Sequence, residues 1–544
     1  MTRDTTTVTA DLRTDRALRL GFASRSPTIE REESVLLARL EGATGWRLDT
    51  LIVAPGRRPA ARPLSMRAVA ALCRIVSGAE QIVLRRLPGG VAGMHWRARS
   101  IRSDRESLER DFATVRIVDG ARASIADDEC PTLIITRDEA LHRELHERYA
   151  AAHWLIIDLG VPASLPGLIG FDAVFDGDDR SGFRIRLVRP RNEGQLTVLT
   201  GGNRTKLLAV LNRAALWDRL GSCLQTLMHN GLPTRVERSD EAPAFAPACA
   251  PVTWTTALRL LAYPAVAALR IARIVLARRQ WSVAVGVGDP LAGDTVGMAH
   301  LQAQAGRFYA DPQLERAPDG RLHCFVEEFD HALGRARIAV LAEQPDGGWQ
   351  RLGIALDEPH HLSFPYLFRY QGQLYMCPEA YTSGRITVYR CTEFPLCWEP
   401  ASVIMDDVCA ADSMLVEHGG MWWLLTNIDN GQAPDHQAEL HVFHAVSPLA
   451  TDWRALPANP VKVDPRGGRN GGLFVADGAL YRCGQKHSID AYGKGLALYR
   501  ITTLDVQGFS EAFVCDMPVP ASLRASGTHT LSVSGGSFAI DVLR

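Results

Sequence analysis

Phe364-Pro-Tyr-Leu-Phe…Gln371-Gly372-Gln-Leu-Tyr-Met is an apolar run, a short glycine-bearing turn and a second apolar run. The same unit stands upstream as Asp311-Pro-Gln-Leu…Asp319-Gly320-Arg-Leu-His-Cys-Phe-Val. It returns downstream as Asp412-Ser-Met-Leu-Val…Gly419-Gly420-Met-Trp-Trp-Leu-Leu and as Gly472-Leu-Phe-Val…Asp477-Gly478-Ala-Leu-Tyr-Arg. A degenerate fifth copy is His529-Thr-Leu-Ser-Val…Gly535-Gly536-Ser-Phe-Ala-Ile. With Leu314, Leu367, Leu415, Leu473 and Leu531 taken as equivalent, the period is roughly 50–60 residues, the size of a propeller blade or a related array unit. One hairpin cannot bury both of its faces, whereas several packed radially can. The spacing therefore predicts a five-bladed β-propeller over 281–544. Trp281-Ser-Val-Ala-Val-Gly-Val is expected to open it, with Phe538-Ala-Ile-Asp-Val beside it, so that both ends of the ring share one blade.

At 544 residues the chain is too long for one core. Its 60 Lys+Arg balance 61 Asp+Glu, which argues against a nucleic-acid partner, since a broad footprint needs a basic excess. The 11 cysteines are scattered, form no CxxC pair and show no zinc spacing with histidine. Free thiols in a reducing cytoplasm are the expected state, with no metal and no cofactor. Met1 to Asp15 is polar and Thr-rich, without the apolar core of a signal peptide, so 1–16 is expected to be disordered and the protein cytoplasmic.

From Ala17 an α/β pattern begins, and 17–231 is expected to form a doubly wound parallel sheet. Strands are expected at Leu18-Arg-Leu-Gly-Phe-Ala, Leu51-Ile-Val-Ala (closed by Pro55-Gly56), Thr114-Val-Arg-Ile-Val (closed by Asp119-Gly120), Pro131-Thr-Leu-Ile-Ile and Trp154-Leu-Ile-Ile-Asp-Leu. Helices are expected from Glu30 to Leu40, from Asp138 to Ala151 with Asp138 as its cap, and from Asn203 to Leu220. Phe183-Arg-Ile-Arg-Leu-Val alternates as a half-buried antiparallel strand does. No G-x-G-x-x-G follows the first strand and there is no Walker A loop, so neither a dinucleotide nor a nucleoside triphosphate is indicated.

Residues 232–280 read as a connector. Pro233 to Pro251 is rich in Pro, Ala and charge. Trp254 to Arg279 is an apolar stretch broken by Arg259, Arg270 and Arg273 and by Pro264. Central arginines argue against a membrane span. A linker helix packed on a domain and a basic amphipathic helix on a membrane surface both fit.

The candidate chemistry lies in the blades. Asp311 begins blade one and Asp412 begins blade three, with Phe364 and Asn470 in the corresponding places. Glu327-Glu328-Phe329 and Pro378-Glu379-Ala380 close two hairpins. Glycoside hydrolysis needs a protonated and an ionised carboxyl flanking one bond, and a third carboxylate can hold the acid's pKa up. Asp311, Glu379 and Asp412 are the candidate catalytic set. Asp residues at strand starts also serve as turn formers and backbone caps, and that role stays open. Glu328, Arg335, His361 and Tyr309 are candidate substrate contacts. Arg335 and Arg337 share a strand face, where solvated arginines are the alternative to a ligand contact, and His360-His361 point opposite ways, so both do not easily serve as ligands and a satisfied loop histidine stays open. Trp422-Trp423, Tyr366, Tyr375 and Tyr309 offer stacking faces for a sugar, or blade core.

Phe308-Tyr-Ala-Asp-Pro-Gln-Leu, Glu327-Glu328-Phe329, Arg335-Ala-Arg-Ile-Ala-Val, His361-Leu-Ser-Phe-Pro-Tyr-Leu-Phe, Met376-Cys-Pro-Glu-Ala and Ala411-Asp412-Ser-Met-Leu-Val together resemble the propeller of the arabinanase/invertase-like superfamily. More narrowly, they resemble the N-terminal domain of plant glucosamine inositolphosphorylceramide transferases. By resemblance to glycoside hydrolase family 43, Asp311 is the general base, Asp412 tunes the acid and Glu379 is the acid. Glu379 precedes Asp412 here, whereas those hydrolases place the acid after the second Asp. In the plant transferases the sugar transfer is attributed to another domain, which implies that such a propeller can act by binding alone.

The first half resembles a formyltransferase-type α/β domain in its order of elements and its junction with the propeller. Those enzymes carry an Asn, a His and an Asp. After Trp154-Leu-Ile-Ile-Asp158-Leu-Gly-Val-Pro stands Ala-Ser-Leu-Pro-Gly, without a His, so this half reads as degenerate and non-catalytic, with Asp158 and Asn203 as remnants. Three functions follow as expectations. The first is a carbohydrate-active protein that acts on or binds a glycosyl group, in surface-glycan or glycolipid synthesis. The second is a non-catalytic glycan-binding scaffold that partners a glycosyltransferase. The third is an amino-sugar N-formyltransferase.

Overall fold

The computed structural model describes residues 18–25, 31–44, 46–54, 63–86, 116–119, 130–192, 194–230, 251–277, 279–290, 298–429, 436–517, 519 and 523–544. The expected disordered 1–16, the turns at Pro55-Gly56 and Gly120, the first residues of the Thr114 strand and most of the Pro-rich connector lie outside the described residues. The chain divides into two units, one of residues 1–272 with 431–433 and one of residues 273–430 with 434–544.

Unit one holds β1 (Leu18–Ser24), β2 (Trp46–Val53), β3 (Arg116–Asp119), β4 (Leu133–Thr136), β5 (His153–Asp158), β6 (Arg180–Val188) and β7 (Gln195–Arg204). They form one sheet in the order β3-β2-β1-β4-β5-β6-β7. The pairings from β3 through β5 are parallel, and those of β5 with β6 and β6 with β7 are antiparallel. The apolar runs of β1, β2, β4 and β5 are buried, as strands covered on both faces require. The helices are α1 (Arg31–Thr44), α2 (Leu64–Arg86), α3 (Glu139–Leu145), α4 (Phe171–Asp176), α5 (Ala209–Asn230) and α6 (Trp254–Leu276).

Two expectations for this unit are corrected. The helix capped by Asp138 ends at Leu145, not Ala151; Asp138 Oδ1 accepts from Leu141 N at 2.9 Å, and beyond Leu145 the chain turns so that Tyr149 packs on Trp154. Asn203 lies in β7, where it pairs with Ser181, and the helix starts only at Ala209. Its start is fixed from a distance: Glu80 of α2 accepts the N–H groups of Ala209 and Val210 at 3.0 and 2.8 Å, satisfying donors that have no partner within the helix. The sequence reading also leaves α2 unassigned.

Helix α6 carries Pro264 within it and buries Ala257, Leu260, Tyr263 and Ala267. Arg259 pairs with Asp172 and Asp176, and Arg270 donates to Val174 O at 2.6 Å. Two of the arginines that interrupt the apolar run thus tie α6 to α4. Among the described residues, no helix is long and apolar enough to cross a membrane.

Unit two is the five-bladed propeller. It begins with β8 (Trp281–Val287) and β9 (Ala299–Leu301). Blade one is β10 (Arg307–Arg316), β11 (Leu322–Asp330), β12 (Arg335–Glu343) and β13 (Trp349–Leu356). Blade two is β14 (Ser363–Tyr370), β15 (Gln373–Glu379), β16 (Arg385–Glu393) and β17 (Cys397–Asp406). Blade three is β18 (Ala410–His418), β19 (Met421–Ile428), β20 (Glu439–Ala445), β21 (Arg454–Ala455) and β22 (Lys462–Val463). Blade four is β23 (Asn470–Ala476), β24 (Ala479–Lys486), β25 (Gly495–Asp505) and β26 (Gly508–Asp516). The fifth blade joins both ends of the unit, in the order β27 (Leu531–Ser534), β28 (Ser537–Leu543), β8, β9. Phe538 faces Gly286 in that seam, as the sequence leads one to expect. The first strands touch in a closed circuit, β10-β14-β18-β23-β27-β10, which makes the sheets a ring.

Each copy of the repeat is the first hairpin of a blade. The tight turns have two left-handed residues, with φ of 48° and 78° at Gln371-Gly372 and 48° and 71° at Asp477-Gly478. This geometry matches the twist of the flanking strands. In blades one, two and three the first strand slips register near its start, and the residue at the slip has positive φ: Asp311 at 48°, Phe364 at 42° and Asp412 at 45°. Such bulges re-aim side chains, and left-handed non-glycine residues concentrate at functional sites.

Candidate functional site: a buried carboxylate cluster at the ring centre

The second strand of every blade carries a buried polar residue at or near its end, opposite the start of the first strand. These residues are Glu327, Glu379, Asn427, Gln485 and Asp541. Three of them latch their blade to the next by accepting a backbone N–H from its first strand. Glu379 Oε2 takes Asp412 N at 3.3 Å, Asn427 Oδ1 takes Asn470 N at 2.8 Å, and Asp541 Oδ2 takes Asp311 N at 3.4 Å. A buried N–H without an acceptor is costly, so the acceptor positions are set by the ring itself.

Around Asp311 the partners come from the closing blade and from blade two. Thr530 Oγ1 donates to Asp311 Oδ1 at 2.7 Å, and Phe364 N donates to Oδ2 at 3.2 Å. His529 lies between two carboxylates, with Nε2 3.1 Å from Asp311 Oδ1 and Nδ1 2.8 Å from Asp541 Oδ2. Burial opposes the imidazolium, but the charges of Asp541 and Asp311 outweigh it and raise His529 to about 10. Burial likewise opposes the Asp311 carboxylate, but the His529 charge and the bonds from His529 and Thr530 outweigh it, lowering Asp311 to about 2. Glu327 stands beside this ion pair, and burial, then the charge of Asp311, push it well above the carboxylate range. His361 joins here, its Nε2 3.4 Å from Glu327 Oε1 and its Nδ1 accepting Ala336 N at 3.2 Å.

Around Asp412 the partner is Arg469. Its Nε pairs with Asp412 Oδ2, and its Nη2 lies 3.3 Å from Asp412 Oδ1 and 3.2 Å from Glu379 Oε2. Gln485 adds a donor to Asp412 Oδ2 at 2.9 Å. Burial and then the Asp412 charge hold Glu379 well above the carboxylate range, with Arg469 opposing. Tyr492 connects the two halves. Its ring lies under the Arg469 guanidinium at 5.5 Å, stacks on His487 at 4.8 Å and meets His529 edge-on at 5.0 Å.

Asp311, Glu379, Asp412 and His361 therefore come together at the ring centre, and three expected substrate contacts do not. Glu328 points to the other side of its strand from Glu327, where Arg351 holds it at 2.6 and 3.0 Å, with Arg337 and Arg307 nearby. Tyr309 is buried on that same side, paired in register with Glu328. Arg335 pairs with Asp357 at 2.7 Å. Glu327, Arg469, His529, Asp541, Gln485 and Tyr492 are site residues that sequence reasoning missed. His529 opens the fifth copy of the repeat and Arg469 directly precedes Asn470, so the repeat alignment held a signal for both. Among the described residues, Asp311, His529 and Asp541 form the group whose ligand atoms are close enough to hold a metal ion. In this structure the two carboxylates meet the imidazolium instead.

The second unit is thus a five-bladed β-propeller with paired buried carboxyls at its centre. Residues 271–527 match the family described as Glucosamine inositolphosphorylceramide transferase 1, N-terminal, and the propeller is similar to that domain. Glucosamine inositolphosphorylceramide transferase 1 of Arabidopsis thaliana is 37% identical over 223 residues, which is 40% of this chain and 28% of that protein. The protein of that name from Oryza sativa subsp. japonica is 37% identical over 208 residues, covering 38% of this chain and 27% of its own length. This chain therefore spans little more than a quarter of either relative. Similar solved structures include Zg3597, a family 117 glycoside hydrolase of Zobellia galactanivorans, at 12% identity and a TM-score of 0.31, covering 49% of this chain and 90% of that one. Another is the α-L-arabinanase of Cellvibrio cellulosa, at 13% identity and a TM-score of 0.29, covering 38% and 77%. The five-bladed assignment rests on the strand order and the closed circuit of first strands.

Proposed function

We propose that the propeller takes a glycosyl group at its centre and acts on it by paired acid and base catalysis, with Asp311 as base and Glu379 as acid. One observation carries this reading: two carboxyls of the same buried cluster are driven in opposite directions, Asp311 to about 2 and Glu379 well above the carboxylate range. Hydrolysis or transfer at a glycosidic bond needs that division of labour. Glu379 Oε2 is occupied by Asp412 N and Arg469, which leaves Oε1 to carry the proton toward a leaving oxygen. Asp311 would take the proton of an attacking water or hydroxyl. The relatives' name joins glucosamine, an inositol phosphate and ceramide, which supports a glycolipid as the substrate class. The test is release or transfer of sugar from a panel of oligosaccharides, glycolipids and nucleotide sugars by the wild type, Asp311→Asn and Glu379→Gln. Turnover that collapses in both variants supports the reading. Wild-type turnover that survives Asp311→Asn, or no turnover on any substrate, overturns it.

A second reading, a glycan-binding module that partners a glycosyltransferase, draws on a different observation. Asp311 and Asp412 each already receive donors on both carboxylate oxygens. That reading predicts glycan binding without turnover, retained in Asp311→Asn. For the first half we infer a degenerate formyltransferase-like domain. Asp158 is occupied by Arg184 at 2.8 Å and by Gly160 N at 2.9 Å, and Asn203 is buried, donating to Arg204 O, which supports remnants over a working site and disfavours the N-formyltransferase alternative. The described cysteines are free thiols, which suits a reducing compartment such as the cytoplasm.

A further inference from the structure

We propose that α2 and α6 of the first unit present a surface that lies in the plane of an anionic phospholipid membrane. On the part of α6 that belongs to the first unit, Trp254, Leu258, Leu261 and Leu269 are each more than half exposed. Their spacing puts them on one side of the helix, opposite the buried Ala257, Leu260, Tyr263 and Ala267. The positions between and next to them on that side, Ala262, Ala265, Ala268 and Ala272, are exposed and apolar as well. On α2, Leu64, Ile75, Ile82 and Val83 are also more than half exposed. The two helices are joined by the buried hydrogen bond from Tyr263 to Glu80. Each helix thus carries its own exposed apolar stripe, and exposed apolar surface of this kind marks an interaction site.

Charge selects lipid as the occupant. Helix α6 contains no Asp or Glu. Helix α2 has one acid, Glu80, which is buried and bonded to Ala209 N, Val210 N and Tyr263. Within the first unit, the exposed charged side chains described on the two helices, Arg67 and Arg74, are both positive. At 1.5 Å per residue, α6 is about 34 Å long, enough to lie along a membrane, while its arginines forbid crossing one. A polar side that is only basic and an apolar side carrying Trp and Leu are what an in-plane helix needs at anionic headgroups.

The test is flotation of the full chain with vesicles of phosphatidylcholine alone and of phosphatidylcholine with phosphatidylserine. We expect co-flotation with the anionic vesicles, loss of it at high salt, and a roughly tenfold weaker partition for Leu258→Asp/Leu269→Asp. These sites face solvent, so an unchanged thermal melt of the variant separates lost binding from lost folding. Arg67→Glu/Arg74→Glu should reduce the preference for anionic vesicles while leaving the melt in place. Flotation absent in the wild type, or unaffected by either variant, overturns the proposal. So does a stable dimer by light scattering that Leu258→Asp/Leu269→Asp dissociates, since the apolar side would then be covered by a second copy.

Discussion

His529 binds Asp311 across the boundary between the closing blade and blade one, Nε2 to Oδ1 at 3.1 Å, and the two groups are displaced in opposite directions, to about 10 and about 2. A carboxyl lowered in the fold stabilises above its ordinary value of 3.8, and that contribution disappears as pH falls toward about 2. An imidazole raised in the fold stabilises below 6.5, and that contribution disappears as pH rises toward about 10. Glu327 and Glu379, raised in the fold, also lose stability as pH climbs above 4.5. Urea midpoints should therefore peak between about pH 4 and pH 6 and decline on the alkaline side. His529→Gln should flatten the alkaline decline between neutral pH and about pH 10, and its absence from that limb is what the titration reads.

Arg469 serves two carboxyls at once, so its shape matters as well as its charge. Arg469→Met leaves Asp412 buried without its cation and should cost about 3–5 kcal/mol in urea unfolding. Arg469→Lys keeps the charge without the planar fork and should fall between wild type and Met. The double variant Asp412→Asn/Arg469→Met should recover part of the loss, which a thermodynamic cycle measures.

If the centre turns over substrate, its pH profile follows from the same pair. The rate should hold through mildly acidic pH, because Asp311 stays ionised down to about 2, and fall as Glu379 loses its proton above the carboxylate range. Glu379→Gln should lower turnover by about 10²–10⁴-fold and remove the alkaline limb. An alkaline limb that persists in Glu379→Gln would assign the acid to another residue, with Glu327 the next to substitute.

Gly472 has a φ of 148°, and a Cβ built there stands 2.1 Å from Leu531 O in the closing blade. A side chain at this position meets backbone, which cannot rotate away. Gly472→Ala should destabilise the propeller by about 3 kcal/mol, through overpacking and strained backbone together. Gly372→Ala, with φ 78° but open space around it, should cost only about 1–2 kcal/mol, and comparing the two melts separates clash from conformation.

The hairpins were legible because four of the five copies pair an apolar strand with a two-residue turn that only Gly, Asn, Asp or a strained residue fills, and the copy of blade one keeps a glycine in a longer turn. Asp311 and Asp412 could be found as the residues three before the aligned leucines Leu314 and Leu415. Glu327 could not. It neighbours Glu328, adjacent strand residues face opposite sides, and the slip between Ala310 and Gln313 hides which one points inward. Arg469 lies just outside its copy of the repeat, His529 and Asp541 belong to the degenerate fifth copy and its flank, and all three reach the centre through contacts between distant parts of the chain. In the first unit, Asn203 shows the same limit. Its surroundings read as a helix, but pairing with β6 keeps it extended.

Because β28 pairs with β8, the first strand of the propeller to leave the ribosome waits for the last. The same late segment supplies His529 and Thr530, which compensate the Asp311 carboxylate, and Asp541, which accepts the Asp311 backbone N–H. Until it arrives, a nascent chain holds Asp311 without its counter-ion beside an unpaired strand edge. Closure of the ring and completion of its charged centre are thus one event, and an unfinished propeller has neither. Any quality-control step that senses the exposed β8 edge would in effect also be reporting whether the site exists.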